Sequence, residues 1–228
     1  MIRKQAAISA ALVALVLVVC GAALADNYTY RRTAHDDATA ASIATPKSAF
    51  PASLALTGGR VKPDETPNTD TCNGRVPKQS DLVVTGDAET RYSSKASGIA
   101  MVDSQITLFE SAAMVKTDFA RELPTLTRAC SLQEAKQEHL QLLSWKRLGP
   151  ARCACDYSMS FTFETGTGQP TIHLLWVGTV MRKGRVEASV LTAVVKGTSD
   201  TQNLALRSAL GLQGLAVKAV SSRFPAAG

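Results

Sequence analysis

Residues 153 to 164 alternate without a break: Cys153, Cys155, Tyr157, Met159, Phe161 and Phe163 occupy the odd positions, and Ala154, Asp156, Ser158, Ser160, Thr162 and Glu164 the even ones. A period of two predicts a strand with one apolar face. Burying Tyr157, Met159, Phe161 and Phe163 stabilises by about 1.5 to 3 kcal/mol each, which makes this strand the expected centre of a core. The same period recurs earlier, where Val102, Ser104, Ile106 and Leu108 alternate with Asp103, Gln105 and Thr107, so a strand is expected from about Ile99 to Phe109. Ile172 to Met181 is apolar on both faces and reads as an interior strand. Val186 to Val195 follows it after a short basic turn, Arg182-Lys183-Gly184-Arg185, expected to be a solvated hairpin; the result is an antiparallel meander.

A helical period replaces the strand period elsewhere. Ser111 is a candidate N-cap, and Val115, Phe119, Leu123, Leu126 and Cys130 follow in steps of three and four. Pro124 removes the bond to Ala120, so the helix is expected from Ala112 to about Leu123, with a kink or a short second turn ending at Cys130. Residues 131 to 149 are open between a helix, signalled by the capping box Ser131 to Glu134, and an edge strand at Leu140 to Trp145, with the strand preferred. Thr198-Ser199-Asp200 caps a long helix whose stripe Leu206, Leu210, Gln213, Val217, Val220, Phe224 is interrupted only by Gln213. Gly211 and Gly214 each cost about 1 kcal/mol relative to Ala in that helix, and a close approach to the sheet is the expected compensation. The fold class that follows is α+β: an antiparallel sheet of four to five strands, with the helices beginning at Ala112 and after Asp200 packed on one face.

Export chemistry shapes the rest. Arg3 and Lys4, the apolar run Ala6 to Val19 and the small residues Ala23-Leu24-Ala25 have the three parts of a signal peptide, 1–25, cleaved before Asp26. Acylation at Cys20 and retention as an uncleaved anchor are the alternatives. Residues 26–79 are rich in Ala, Thr, Ser and Pro without a period and read as a flexible tail or spacer, leaving 80–228 as the folded domain. The protein is expected to be secreted or held at the cell surface, with no membrane span after cleavage. A net charge of +6, dispersed along the chain, does not indicate a nucleic-acid groove.

Cys72, Cys130, Cys153 and Cys155 remain in an exported chain, and an even number predicts two disulfides. Positions i and i+2 of a strand lie about 6.6 Å apart, whereas a disulfide holds its Cβ atoms at about 3.8 Å. Cys153 and Cys155 are thus expected to reach different partners, Cys130 and Cys72 in either assignment. A redox pair or a thiolate metal site is the rival reading of the two neighbouring thiols. His35, His139 and His173 show no metal-ligand spacing, Thr165-Gly-Thr-Gly168 is a turn rather than a phosphate cradle, and no Gly-x-Ser-x-Gly elbow exists. No catalytic, cofactor-binding or metal-ligating set is therefore assigned, and no cofactor is expected. Trp145, His173 and Trp176 form the candidate ligand cleft, since a large aromatic beside a titratable group commonly lines a pocket.

From Ser80 onward the order of features resembles the extracellular sensor domain of PknH-type bacterial receptor kinases and of many small exported proteins and lipoproteins. The residues that carry it are Ile106-Thr-Leu-Phe-Glu-Ser-Ala-Ala113, Phe119 to Leu123-Pro124 with Cys130, the strand pair around Met181-Arg-Lys-Gly184-Arg, and the long last helix. The resemblance implies disulfide-stapled helices on an antiparallel sheet and a cleft for a small extracytoplasmic ligand or envelope component, without enzymatic activity. A small secreted hydrolase lacking any local motif, or a secreted interaction or inhibitor protein, is the alternative function. The chain has no kinase domain, and no ligand residues transfer.

Overall fold

A computed structural model describes residues 28–63, 72, 78–95, 98–137, 140–148, 157–165, 173–196 and 202–224. The expected signal segment 1–25 with Cys20, and also His139, Cys153 and Cys155, lie outside the described residues. The strands are β1 Thr29–Tyr30, β2 Thr57–Val61, β3 Val83–Ser94, β4 Ile99–Phe109, β5 Leu140–Arg147, β6 Tyr157–Thr165, β7 His173–Lys183 and β8 Val186–Lys196. The helices are α1 Ala34–Ile43, α2 Ala112–Glu122, α3 Arg128–Gln137 and α4 Gln202–Ser221.

The eight strands among the described residues join one sheet in the order β1-β3-β4-β8-β7-β6-β5, with β2 also on β3. The fold is α+β as expected, but the sheet is larger than four to five strands. It is also mixed, because β1 runs parallel to β3 while the other pairings are antiparallel. The meander β6-β7-β8 and the strand β4 stand where the sequence put them over their described residues, and β5 settles the open segment as helix α3 followed by an edge strand. β3 has little apolar alternation to betray it, since the positions between Asp87, Glu89 and Arg91 are the small or polar Gly86, Ala88 and Thr90.

Helices cover both faces. On the first face, Ala88, Ile106, Val177 and Val190 of the sheet meet Ile43 of α1 and Val220 of α4. On the second, Phe109 and Val84 pack with Val115 of α2, and Met101, Trp176 and Leu142 pack with Ala135 of α3. The expectation of both long helices on one face is corrected: α2 and α4 lie on opposite sides. The reason is that Phe109 ends β4 on the face opposite Ile106, so Val115 of α2 packs on that second face, while Val217 and Val220 of α4 pack with Ile106 and Val190 on the first.

Residues 26–79 are not a spacer over their described part. Thr33 caps α1 by accepting from the Asp36 amide at 3.1 Å. The helix docks where Gly86 carries no side chain, since a Cβ there would lie 2.4 Å from the Asp36 carbonyl carbon. Thr45 is then fixed to the sheet by Ser104, Thr90 and Tyr92, at 3.0, 3.1 and 3.0 Å. Small side chains such as Ala40 and Ala44 fill this contact, so no large apolar stripe marks it in the sequence.

The basic turn is also corrected. Gly184 takes the left-handed conformation of the hairpin, φ +58°. Arg185, however, binds both carboxylate oxygens of buried Asp36, holding that carboxyl below its usual range through their hydrogen bonds, and donates to Thr85 Oγ1 at 3.2 Å.

Gln213, the break in the α4 stripe, is buried and satisfied. Its Oε1 accepts from Thr192 at 2.6 Å, and its Nε2 donates to Thr179 Oγ1 at 2.9 Å and to the Val190 carbonyl at 2.8 Å. Gly211 and Gly214 face outward and a Cβ at either meets nothing within 4 Å, so the expected close approach is absent.

A disulfide joins Cys72 to Cys130. This overturns the expected assignment of each of those cysteines to Cys153 or Cys155. That assignment weighs only the two neighbouring thiols, whereas the segment before β3 brings the Cα of Cys72 within 5.3 Å of that of Cys130, inside the span a disulfide bridges.

Candidate functional site

Helix α2 starts at Ser111, whose hydroxyl accepts from the Met114 amide at 3.3 Å. This start turns Val115, Asp118, Phe119 and Glu122 toward the sheet. The buried side of the helix thus carries two carboxylates one turn apart, while Leu123 is left exposed. A buried acid beside an exposed leucine inverts the ordinary partition of side chains.

Opposite these acids stands Glu187 of β8, and oxygen atoms of Asp118, Glu122 and Glu187 all lie within 4.8 Å of one another. Asp118 is 1 % exposed, Glu187 5 % and Glu122 9 %. Gln79 enters the cluster from the segment before β3, its Nε2 donating to Asp118 Oδ1 at 3.0 Å and to Glu122 Oε1 at 3.1 Å. The Tyr28 hydroxyl donates to Asp118 Oδ2 at 2.9 Å. Burial, and then the negative charge of Glu122, Asp118 and Glu187, pushes the Tyr28 phenol well above its ordinary pKa, so it stays a donor. Arg182 of β7 is the cross-strand neighbour of Glu187, and its guanidinium carbon stacks 3.9 Å from the Phe119 ring centroid.

The acid-rich surface continues along the second face of the sheet. The register sets Asp87, Thr107 and Glu187 in one row, Glu89, Gln105 and Ser189 in the next, and Arg91, Asp103 and Leu191 in a third. Asp87, Glu89 and Asp103 are all buried. Arg91 bridges Glu89 and Asp103, the latter at 3.2 Å, and Arg32 pairs with Asp87. Burial outweighs Arg91 at Asp103 and raises its carboxyl to about 6.

The candidate cleft of Trp145, His173 and Trp176 is not assembled. Trp145 and Trp176 flank Phe161 in register and belong to the apolar cluster under α3. His173 is three positions from Trp176 and therefore on the other face, where it lies 3.6 Å from Glu164. The odd separation carried that information already.

The acid cluster was missed because its members come from the segment before β3, from α2 and from β8. The signal within reach was the four-residue spacing of Asp118 and Glu122 on a helix whose apolar stripe they share. What the arrangement offers is a set of hard oxygen donors backed by an amide, a phenol and a guanidinium, suited to holding positive charge. Comparison of this chain with family models, with curated proteins and with solved structures found no match to any of the three.

Proposed function

We propose that this chain is an exported, non-enzymatic sensor-like domain that binds a small cationic ligand on the acid-rich face of its sheet. One observation carries the reading. In a chain of net charge +6, this face gathers six buried carboxylates, Asp87, Glu89, Asp103, Asp118, Glu122 and Glu187, against Arg32, Arg91 and Arg182 among the described residues. Burying ionised groups is expensive, and a well-packed apolar face of similar volume is often equally stable or more so. Carboxylates kept in such numbers are accounted for by a positively charged partner. The likeness of residues 106–113, 119–130 and 181–185 to exported sensor domains supports a binding role, and the N-terminal pattern supports export with cleavage after Ala25. No helix among the described residues is long and apolar enough to cross a membrane.

The test is a thermal-shift screen in the presence of a chelator, using polyamines, cationic peptides and anionic or neutral envelope fragments. Saturable stabilisation by a cationic compound, lost in Glu89→Gln and Asp103→Asn, is the expected result. Stabilisation by anionic or neutral fragments alone, or by nothing in the panel, would overturn the reading.

A further inference from the structure

We infer that Asp103 and Glu89 share one exchangeable proton, and that its release makes the acid-rich face available to a cation. The register builds the pair. Asp103 stands opposite Arg91, and Glu89, two residues before Arg91 on the same face of β3, is the diagonal neighbour of Asp103 across to β4. Arg91 Nη2 donates to both acids, to Glu89 Oε1 at 2.5 Å and to Asp103 Oδ2 at 3.2 Å, and the Asp103 carboxyl also lies in hydrogen-bond reach of Glu89. Two carboxyl groups bond to each other in this way only when one of them carries a proton.

Geometry selects Asp103 as the carrier. Every other buried acid of this face has closer support: Asp87 pairs with Arg32, Glu89 takes the shorter bond from Arg91, Asp118 accepts from Tyr28 and Gln79, Glu122 accepts from Gln79, and Glu187 stands beside Arg182. Asp103 has one longer bond, and its Oδ1 is buried and meets no donor among the described residues. A charged oxygen stripped of water and of donors is costly, and a proton removes the charge. The elements around it do not change this balance. Its partner on β8 is the apolar Leu191, with Glu187 two rows away towards Asp118 and Glu122 of α2, and Asp87, with Arg32 and Asp37, lies in that same direction. On the other side α3, packed with Met101, contributes Arg128 and Lys136, both exposed. Burial accordingly raises the Asp103 carboxyl to about 6 in spite of Arg91. A cation arriving beside Asp103 favours the ionised acid, so binding expels the proton, and by reciprocity acid weakens binding.

The inference rests on the cationic reading of this face, and its test lets the two fail separately. The full chain without ligand is titrated potentiometrically beside Asp103→Asn, in which the amide stands for the protonated acid. The parent should take up about 0.8 of a proton more than the variant between pH 7 and pH 5. Calorimetry then follows the binding of spermine to the parent, a probe whose amines stay charged throughout this range. Its affinity should fall about tenfold from pH 7 to pH 5, and at pH 6, in two buffers of different ionisation enthalpy, about half a proton should leave per spermine bound. Equal proton uptake by parent and variant, or spermine binding that ignores pH and releases no proton, overturns the inference and leaves the cationic reading standing. Absence of spermine binding at pH 7 beside the expected proton uptake overturns the coupling through failure of that reading. Should Asp103→Asn fail to fold, carboxyl carbon resonances of the aspartate-labelled parent replace the comparison: one titrating near pH 6 is expected, and none doing so overturns the inference.

Discussion

Gly211 and Gly214 sit in the interior of α4, where glycine is the costliest residue short of proline because its backbone loses most freedom on ordering. The sequence alone gives a reason to keep them, a helix pressed against its sheet, but the structure removes that reason. Both positions face away from the sheet, and an added Cβ at either meets no atom within 4 Å. The double change Gly211→Ala, Gly214→Ala therefore brings the propensity gain with no steric offset, about 0.8 to 1.0 kcal/mol per site. New methyls three residues apart on a helix stand about 5 to 6 Å from each other, so the two gains should add to about 1.5 to 2 kcal/mol. In a protein of this length that corresponds to a rise in Tm of roughly 3 to 8 °C. Urea unfolding of parent and variant should show a higher midpoint with the slope unchanged, and calorimetry should show the shift in Tm. A variant that gains less than about 0.5 kcal/mol, or loses stability, would mean that this outer side of α4 is covered, and the close-approach explanation would have to be restored.

Three further outcomes follow from buried polar groups and from the staple. Gln213→Leu keeps the volume but leaves the Thr192 hydroxyl, the Thr179 hydroxyl and a Val190 carbonyl lone pair without this partner, and should cost about 2 kcal/mol in urea unfolding; adding Thr192→Val should recover part of it. Asp103 has a folded-state pKa raised to about 6 by burial, above an unfolded value of about 3.9, so its protonated form favours folding. Its contribution is complete below about pH 4 and is lost as the pH rises through 6. The stability of Asp103→Asn relative to the parent should accordingly improve by about 2 kcal/mol between pH 4 and pH 7, and an unchanging difference would refute that ionisation. The Cys72 to Cys130 bridge spans a sequence separation of 58, so reduction should destabilise by about 4 kcal/mol in the chain-entropy model, and unreduced peptide mapping should recover these two cysteines in one linked pair.

The sequence by itself determined the elements whose chemistry is local. Period-two runs placed β4 and β6, a run apolar on both faces placed β7 and the basic turn after it β8, Ser111 and Pro124 bounded α2, and the four-three stripe placed α4, because alternation, apolar runs and capping depend only on near neighbours. What only the tertiary structure decided were the features built from distant segments. β3 is hidden in the sequence because its core-facing positions Gly86, Ala88 and Thr90 are small or polar, and the charge of its second face is balanced only by Arg32 on Asp87 and by Arg91 between Glu89 and Asp103. The Ala-rich α1 joins the core through Gly86 and Arg185, residues far along the chain that close contact and ion pairing select. The acid cluster assembles from the residue before β3, one turn of α2 and a position in β8, and no local period can report a distance between segments that meet only when the sheet and its helices pack.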